Sequence, residues 1–176
     1  SKVILTVVDQ SPMRSGGAAS EALHETVALA SHTEKCGYSR YWVAEHHNSG
    51  SFTGTSPEIL IGQIAAKTTT IRVGSGGVML SHYSSLKVAE QFRVLDAFYP
   101  GRIDLGVGRA PGSDRLTAAA LAYPRPQIDV LQDFPKMVSD LIGFLHNSLD
   151  ESHPMSQIQV LPGHSSVTSP EVWLLG

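Results

Sequence analysis

The chain has 176 residues, 41% of them hydrophobic and 16% charged, with a formal net charge of −3. That is enough apolar matter for a single domain over residues 1–176. Scattered basic residues exclude an electrostatic footprint for nucleic acid, and no apolar run approaches the roughly 20 residues of a membrane span. The lone cysteine, Cys36, excludes an intrachain disulfide and fits a reducing cytoplasm. Its place just before Gly37 predicts a buried structural thiol.

Val3 to Val8 is almost continuously apolar, as expected of a strand covered on both faces in a parallel sheet. Asp9-Gln10-Ser11-Pro12 ends it as a turn rather than as a small-residue cleavage site. After the Arg14-Ser15-Gly16-Gly17 loop, Ser20 is expected to cap a helix in which Leu23, Val27 and Ala30 share a face and Gly37 is the stop. Tyr41 to Ala44 is a second strand. Ser56-Pro57-Glu58 opens the next helix: a capping serine, a proline where no N–H is needed, and an acid at the positive end of the dipole. Ile59, Ile61, Ile64 and Ala65 follow, and near Thr68 the pattern gives way to a third strand, Ile71 to Gly76. Val88, Phe92, Leu95 and Tyr99 mark another helix. Pro100-Gly101 breaks it, and Arg102 to Gly108 is a fourth strand. Asp129 to Leu145 reads as a fourth helix with Leu131, Phe134, Val138, Leu141 and Leu145 on one side, Pro135 leaving Asp133 open as an alternative start. Residues 146–170 read as an extended loop or insertion with a short strand at Gln157 to Leu161. Glu171 to Leu175 is a fifth strand.

Strands alternating with helices argue for right-handed βαβ units and a parallel sheet. Five strands fall short of a closed eight-stranded barrel of about 250 residues, so the chain reads as part of one. In such folds ligands bind at the C-terminal strand ends, and the unusual residues collect there. The second strand ends in Glu45-His46-His47-Asn48 and the third in Gly74-Ser75-Gly76-Gly77, then Val78-Met79-Leu80. The fourth ends in Gly106-Val107-Gly108-Arg109 and the fifth in Leu175-Gly176. Glycines let a flat ring approach the backbone, and Arg109 presents a fork of donors suited to phosphate. His46 or His47 can move a proton near neutral pH, and Glu90 on the following helix can orient one of these groups. Each feature also has a plainer reading: turn glycines, a surface ion pair for Arg109, a local pairing for Glu90. Side chains alternate along a strand and no third ligand is spaced to join His46 and His47, so no metal is expected. Gly106-Val107-Gly108 lacks the third glycine of a dinucleotide fingerprint. Gly74-Ser75-Gly76 lacks the spacing of a nucleophile elbow.

Together these segments resemble the bacterial luciferase-like flavin-dependent monooxygenase family. Tyr41 to Asn48 resembles its second-strand motif and Val73 to His82 its third strand. Ala89-Glu90-Gln91-Phe92, with Leu95-Asp96 and Pro100 to Arg109, is similar to its longest signature, and Pro170 to Gly176 to its fifth strand. The likeness runs from Val3 to about Gly112 and returns at Pro170. It implies a TIM-barrel (β/α)8 fold with about the first five strands in this chain. It also implies an oxidoreductase using reduced FMN and dioxygen on a small organic substrate, without implying light emission. By the same resemblance His46 is the catalytic histidine beside the flavin's reactive edge. Gly76 and Gly77 form an unusual cis peptide beneath the ring system, Arg109 meets the FMN phosphate, Glu90 lies near the flavin, and Gly176 stands where the phosphate site continues. A separate flavin reductase and a homodimer are implied as partners. Two other readings stay open: an F420-dependent hydride-transfer oxidoreductase on the same barrel, and a non-catalytic flavin-binding or assembly paralogue.

Overall fold

The computed structural model describes residues 3–109, 114–124, 129–163 and 168–176. Strands β1 (Thr6–Asp9), β2 (Arg40–Val43), β3 (Arg72–Met79), β4 (Ile103–Gly108) and β5 (Glu171–Leu175) form one parallel sheet in sequential order. Helices α1 (Ala19–Lys35), α2 (Pro57–Lys67) and α3 (Ser85–Phe98) join the first four strands, and α4 (Arg115–Ala122) and α5 (Val130–His146) stand between β4 and β5. The strand order never reverses, so there is no switch point as in doubly wound sheets; this is the winding of a TIM barrel, with five strands in place.

Period-2 alternation sorts the strand residues. Tyr41, Val43, Val73, Ile103, Leu105 and Val107 are fully buried in the core, together with Ile61, Ile64, Val88, Phe92, Leu141 and Leu145 of the helices. The intervening residues carry the inner face, whose lower half is polar and aromatic. There the buried Asp104 carboxylate accepts from Arg40 Nε (3.1 Å), Trp42 Nε1 (2.9 Å) and Arg72 Nε (2.9 Å). Glu171 pairs with Arg40 at 2.9 Å and Arg72 at 3.3 Å. Trp173 sets its edge against Trp42, with ring centroids 5.3 Å apart, under the Arg40 guanidinium. The sequence reading did not anticipate this layer.

Several expectations need correction. The strand at the N-terminus is only Thr6–Asp9, and it is not covered on both faces. Val3, Ile4 and Leu5, ahead of the strand, are exposed, and Val8, on the face opposite the helix-side core that Val7 joins, is 56% exposed. Helix α1 starts before Ser20, at Ala19; Ala18 offers no side-chain acceptor, and Glu21 Oε2 instead accepts the Ala18 N–H at 3.1 Å. Cys36 is exposed at the helix end rather than buried. Ile59 and Leu131 project outward from their helices. Helix α5 follows the reading from Asp129 and not the alternative start at Asp133: Asp129 caps it through the Leu131 N–H (3.1 Å) and Pro135 is accommodated inside. Among the described residues of 146–170 there is no strand at Gln157 to Leu161. The chain turns there instead, and Asn147 pins buried Val160 by accepting its N–H at 2.8 Å. Helix α4 was not predicted at all: it has no buried residue, hence no apolar period to read.

Candidate functional site

The C-terminal ends of β2, β3, β4 and β5 bring the candidate residues to one end of the sheet. Ala44 N–H donates to Asp9 O at 2.9 Å and His46 N–H to Gly54 O at 2.9 Å, so β2 is tied beyond its last ladder pair. The His46 ring tilts against Phe52 with centroids 5.1 Å apart, and its buried Nδ1 has no hydrogen-bond partner among the described residues. In β3 the peptide bond between Gly76 and Gly77 is cis. A Cβ on Gly77 would meet the Leu175 side chain and lie 2.7 Å from Gly106 O, so only glycine fits there. A Cβ on Gly76 would lie 3.2 Å from Trp42 Cβ, which places the aromatic layer directly beneath it.

Arg109 follows β4 and is exposed; among the described residues it has neither ion pair nor hydrogen bond. Gly176 follows β5 in open space. Glu90, on α3 and 41% exposed, has its ion pair with Lys87 at 3.9 Å. Thus His46, Gly76, Gly77, Arg109 and Gly176 share one end, while Glu90 has a local partner. Among the described residues no group of three or more His, Cys, Asp or Glu side chains is placed to hold a metal.

Behind His46 lies a cluster that sequence reasoning missed. Glu45 and His47 alternate with His46 and point to the helix side. The buried Glu45 carboxylate accepts Met79 N–H at 2.8 Å and the Tyr83 hydroxyl, and His47 Nε2 lies 2.7 Å away. Burial pushes the Tyr83 phenol up, and the Glu45 carboxylate adds to it. Burial also raises the Glu58 carboxyl, with the Glu45 charge contributing. Farther out, Asn48 Nδ2 donates to Asp114 Oδ2 at 2.9 Å, tethering the start of α4 to the loop after β2. This hydrogen bond and those from Thr117 hold the Asp114 carboxyl below the usual range. The available signal for Glu45 was its place in the strand alternation, on the same side as the buried Tyr41 and Val43, not its type.

A single-wound parallel sheet that sets polar groups such as His46 and Arg109 at its carboxyl ends has the ligand-binding architecture of βα barrels. The family model of luciferase-like monooxygenases matches residues 3–142, and the chain belongs to this family. It is 50% identical over 174 residues to the uncharacterized protein YwcH of Bacillus subtilis, covering 99% of this chain and 51% of that protein. To the N-acetyl-S-alkylcysteine monooxygenase of B. subtilis it is 44% identical, covering 98% and 50%. The chain spans about half the length of the curated relatives it matches. The solved structure of apo-MsnO8 superposes with a TM-score of 0.88 at 42% identity, covering 99% of this chain and 50% of that one. Two more distant structures share the fold alone. One is the oxygenating constituent of 3,6-diketocamphane monooxygenase from Pseudomonas putida in complex with FMN (20% identity, TM-score 0.66, covering 82% and 38%). The other is an F420-dependent secondary alcohol dehydrogenase with an F420-acetone adduct (16%, 0.69, covering 100% and 53%). No helix among the described residues is long and apolar enough to cross a membrane.

Proposed function

We propose that this chain forms the cofactor-binding part of an FMN-dependent monooxygenase that uses reduced FMN and dioxygen on a small organic substrate. One observation carries the reading: the buried Nδ1 of His46 and the guanidinium of Arg109, both without a partner among the described residues, lie at one end of the sheet with the glycine pair Gly76-Gly77. A buried polar atom without a partner is costly, and a ligand group at that end would satisfy it. Bound reduced FMN would supply the electron pair that activates dioxygen. Arg109 would hold the phosphate through its paired N–H groups. Gly76 and Gly77 keep the wall free of side chains for a flat ring system, with Gly176 at the same end. His46 would hold or give a proton at the reacting edge through Nδ1. Glu90 enters this reading through α3 rather than by contact. A reductase supplying reduced FMN and a homodimer complete it; exposed Val94 and Phe98, one turn apart on α3, offer apolar surface for pairing.

Titration with FMN, followed by flavin fluorescence, tests the reading. Saturable binding is expected, weakened about tenfold or more by Arg109→Ala with no fall in the thermal midpoint. Consumption of dioxygen with reduced FMN is expected to depend on His46. Absence of saturable binding overturns the proposal. Tight binding of F420 in place of FMN redirects it to hydride transfer, and bound flavin without oxygen consumption redirects it to a non-catalytic paralogue.

A further inference from the structure

The β2–β3 ladder ends at the pair Val43↔Ser75. Strand β3 then shifts register between Ser75 and Val78, and regains β4 at Val78↔Val107 and Met79↔Gly108. The residues inside that irregularity are Gly76 and Gly77. On the β2 side, past the last ladder pair, the Met79 N–H has the Glu45 carboxylate as its acceptor, at 2.8 Å. A side chain there does the work of a ladder carbonyl. The same carboxylate accepts the Tyr83 hydroxyl, just past the 3-10 turn Leu80–His82, and lies 2.7 Å from His47.

From this geometry we infer that Glu45 is a positioning residue that sets the separation between His46 and the Gly76–Gly77 segment. The inference rests on the flavin reading above, because it matters only if those two elements grip one ligand. Three observations support it. Glu45 immediately precedes His46, whose own N–H is fixed to Gly54 O at 2.9 Å, so the clamp and the histidine share one short stretch of backbone. Met79 is two residues past Gly77, so the clamp seizes β3 directly beyond its irregularity. Finally, the carboxylate is buried, yet its ion pair among the described residues is with His47 and not with a lysine or arginine. A buried charge held mainly by hydrogen bonds is an expensive way to add stability, whereas it suits the exact placement of neighbours.

The test uses Glu45→Ala and Glu45→Gln, with Glu34→Gln as a control. Glu34 also gathers backbone N–H groups, from Thr69, Thr70 and Ile71, but at the opposite end of the sheet. Two readouts are taken: FMN affinity, and amide hydrogen exchange of Met79 and Gly77 by NMR, each normalised to Val107. In Glu45→Ala, Met79 exchange is expected to rise about tenfold and FMN affinity to fall by roughly the same factor. Glu45→Gln keeps an acceptor oxygen for Met79 and should rescue both to within about threefold. Glu34→Gln should change stability while leaving both readouts in place. The inference fails if Glu45→Ala leaves Met79 exchange unchanged, or if it weakens FMN no more than Glu34→Gln does. Should the parent chain bind no FMN, the flavin reading is lost, yet the exchange data still decide the clamp. If Glu45→Ala does not fold, Glu45→Asp draws the carboxylate back by one methylene from the Met79 N–H it now meets at 2.8 Å. Met79 exchange is then expected to rise about threefold, and an unchanged rate overturns the clamp.

Discussion

At the N-terminal ends of the strands the charges are matched. Asp104 and Glu171 face Arg40 and Arg72, Glu34 collects three backbone N–H groups, and Arg102 donates to the carbonyls of Ala65, Thr68 and Ile71. At the C-terminal ends, His46 Nδ1 and the Arg109 guanidinium lack partners among the described residues and the glycines at 76, 77 and 176 lack side chains, while the neutral Ser169 Oγ, just before β5, is the other buried side-chain atom without a described partner. The contrast locates two duties. One end holds the strands in register; the other leaves hydrogen-bonding capacity for a ligand, as expected where βα barrels do their chemistry. Glu45 belongs to the second end by position and to the first by construction, which is why it marks where one duty passes into the other.

The strongest way to break this comparison is at Asp104. Its carboxylate is fully buried between two guanidiniums and also accepts the indole N–H of Trp42. Asp104→Ala would strip both arginines of their buried carboxylate, leaving half-exposed Glu171 to both and the Gly101 and Ile103 carbonyls to Arg72. Breaking a buried pair in this way typically costs about 3–5 kcal/mol. A urea midpoint shifted by that amount is the expected result; a loss below about 1 kcal/mol would mean that the layer is decoration.

A second test acts at the other end. Gly77→Ala places a Cβ 2.7 Å from Gly106 O, and that oxygen belongs to a central strand that cannot yield cheaply. Overpacking of this kind costs about 1–3 kcal/mol. Gly76→Ala meets Trp42 at 3.2 and 3.3 Å, contacts that a small shift relieves, so its thermal midpoint should fall less. Equal losses at the two positions would show that the crowding is not what keeps glycine at 77.

How much of this could be read from residues alone follows from the range of each interaction. Apolar periodicity and the stops at Gly37 and Pro100-Gly101 are local, and they suffice for the five strands, four of the helices and their winding. Strand-end position alone brings out the stretches Glu45 to Asn48, Gly74 to Gly77, Gly106 to Arg109 and Leu175-Gly176, while the choice of His46 over His47 comes from the family resemblance. The inner layer was invisible because Arg40 and Asp104 lie 64 positions apart, and nothing in either segment announces the other. Glu45 was passed over for a similar reason, since Met79, at the end of β3, lies 34 positions away and Tyr83 stands beyond the 3-10 turn that follows it. Exposure of Val8 escaped notice because an apolar run reports what a strand can bury, not what lies above it.

The smallest expected effect sharpens the comparison through pH. Burial by itself raises the Glu34 carboxyl, but the N–H groups of Ile71, Thr70 and Thr69 and the Thr70 hydroxyl outweigh it and hold the group at about 2, against an ordinary 4.5. A carboxyl depressed on folding stabilises the protein fully above its unfolded value, and that contribution fades as pH falls from about 4.5 towards about 2. Glu34→Gln keeps an acceptor and loses the charge, so the loss should be about 1 kcal/mol near neutrality. Urea midpoints of parent and variant should therefore differ by a constant amount at neutral pH and converge on the acid side within that window. Persistence of the full difference at the acid limit would assign the effect to shape rather than charge. The electrostatic account of the stable end would then rest on Asp104 alone.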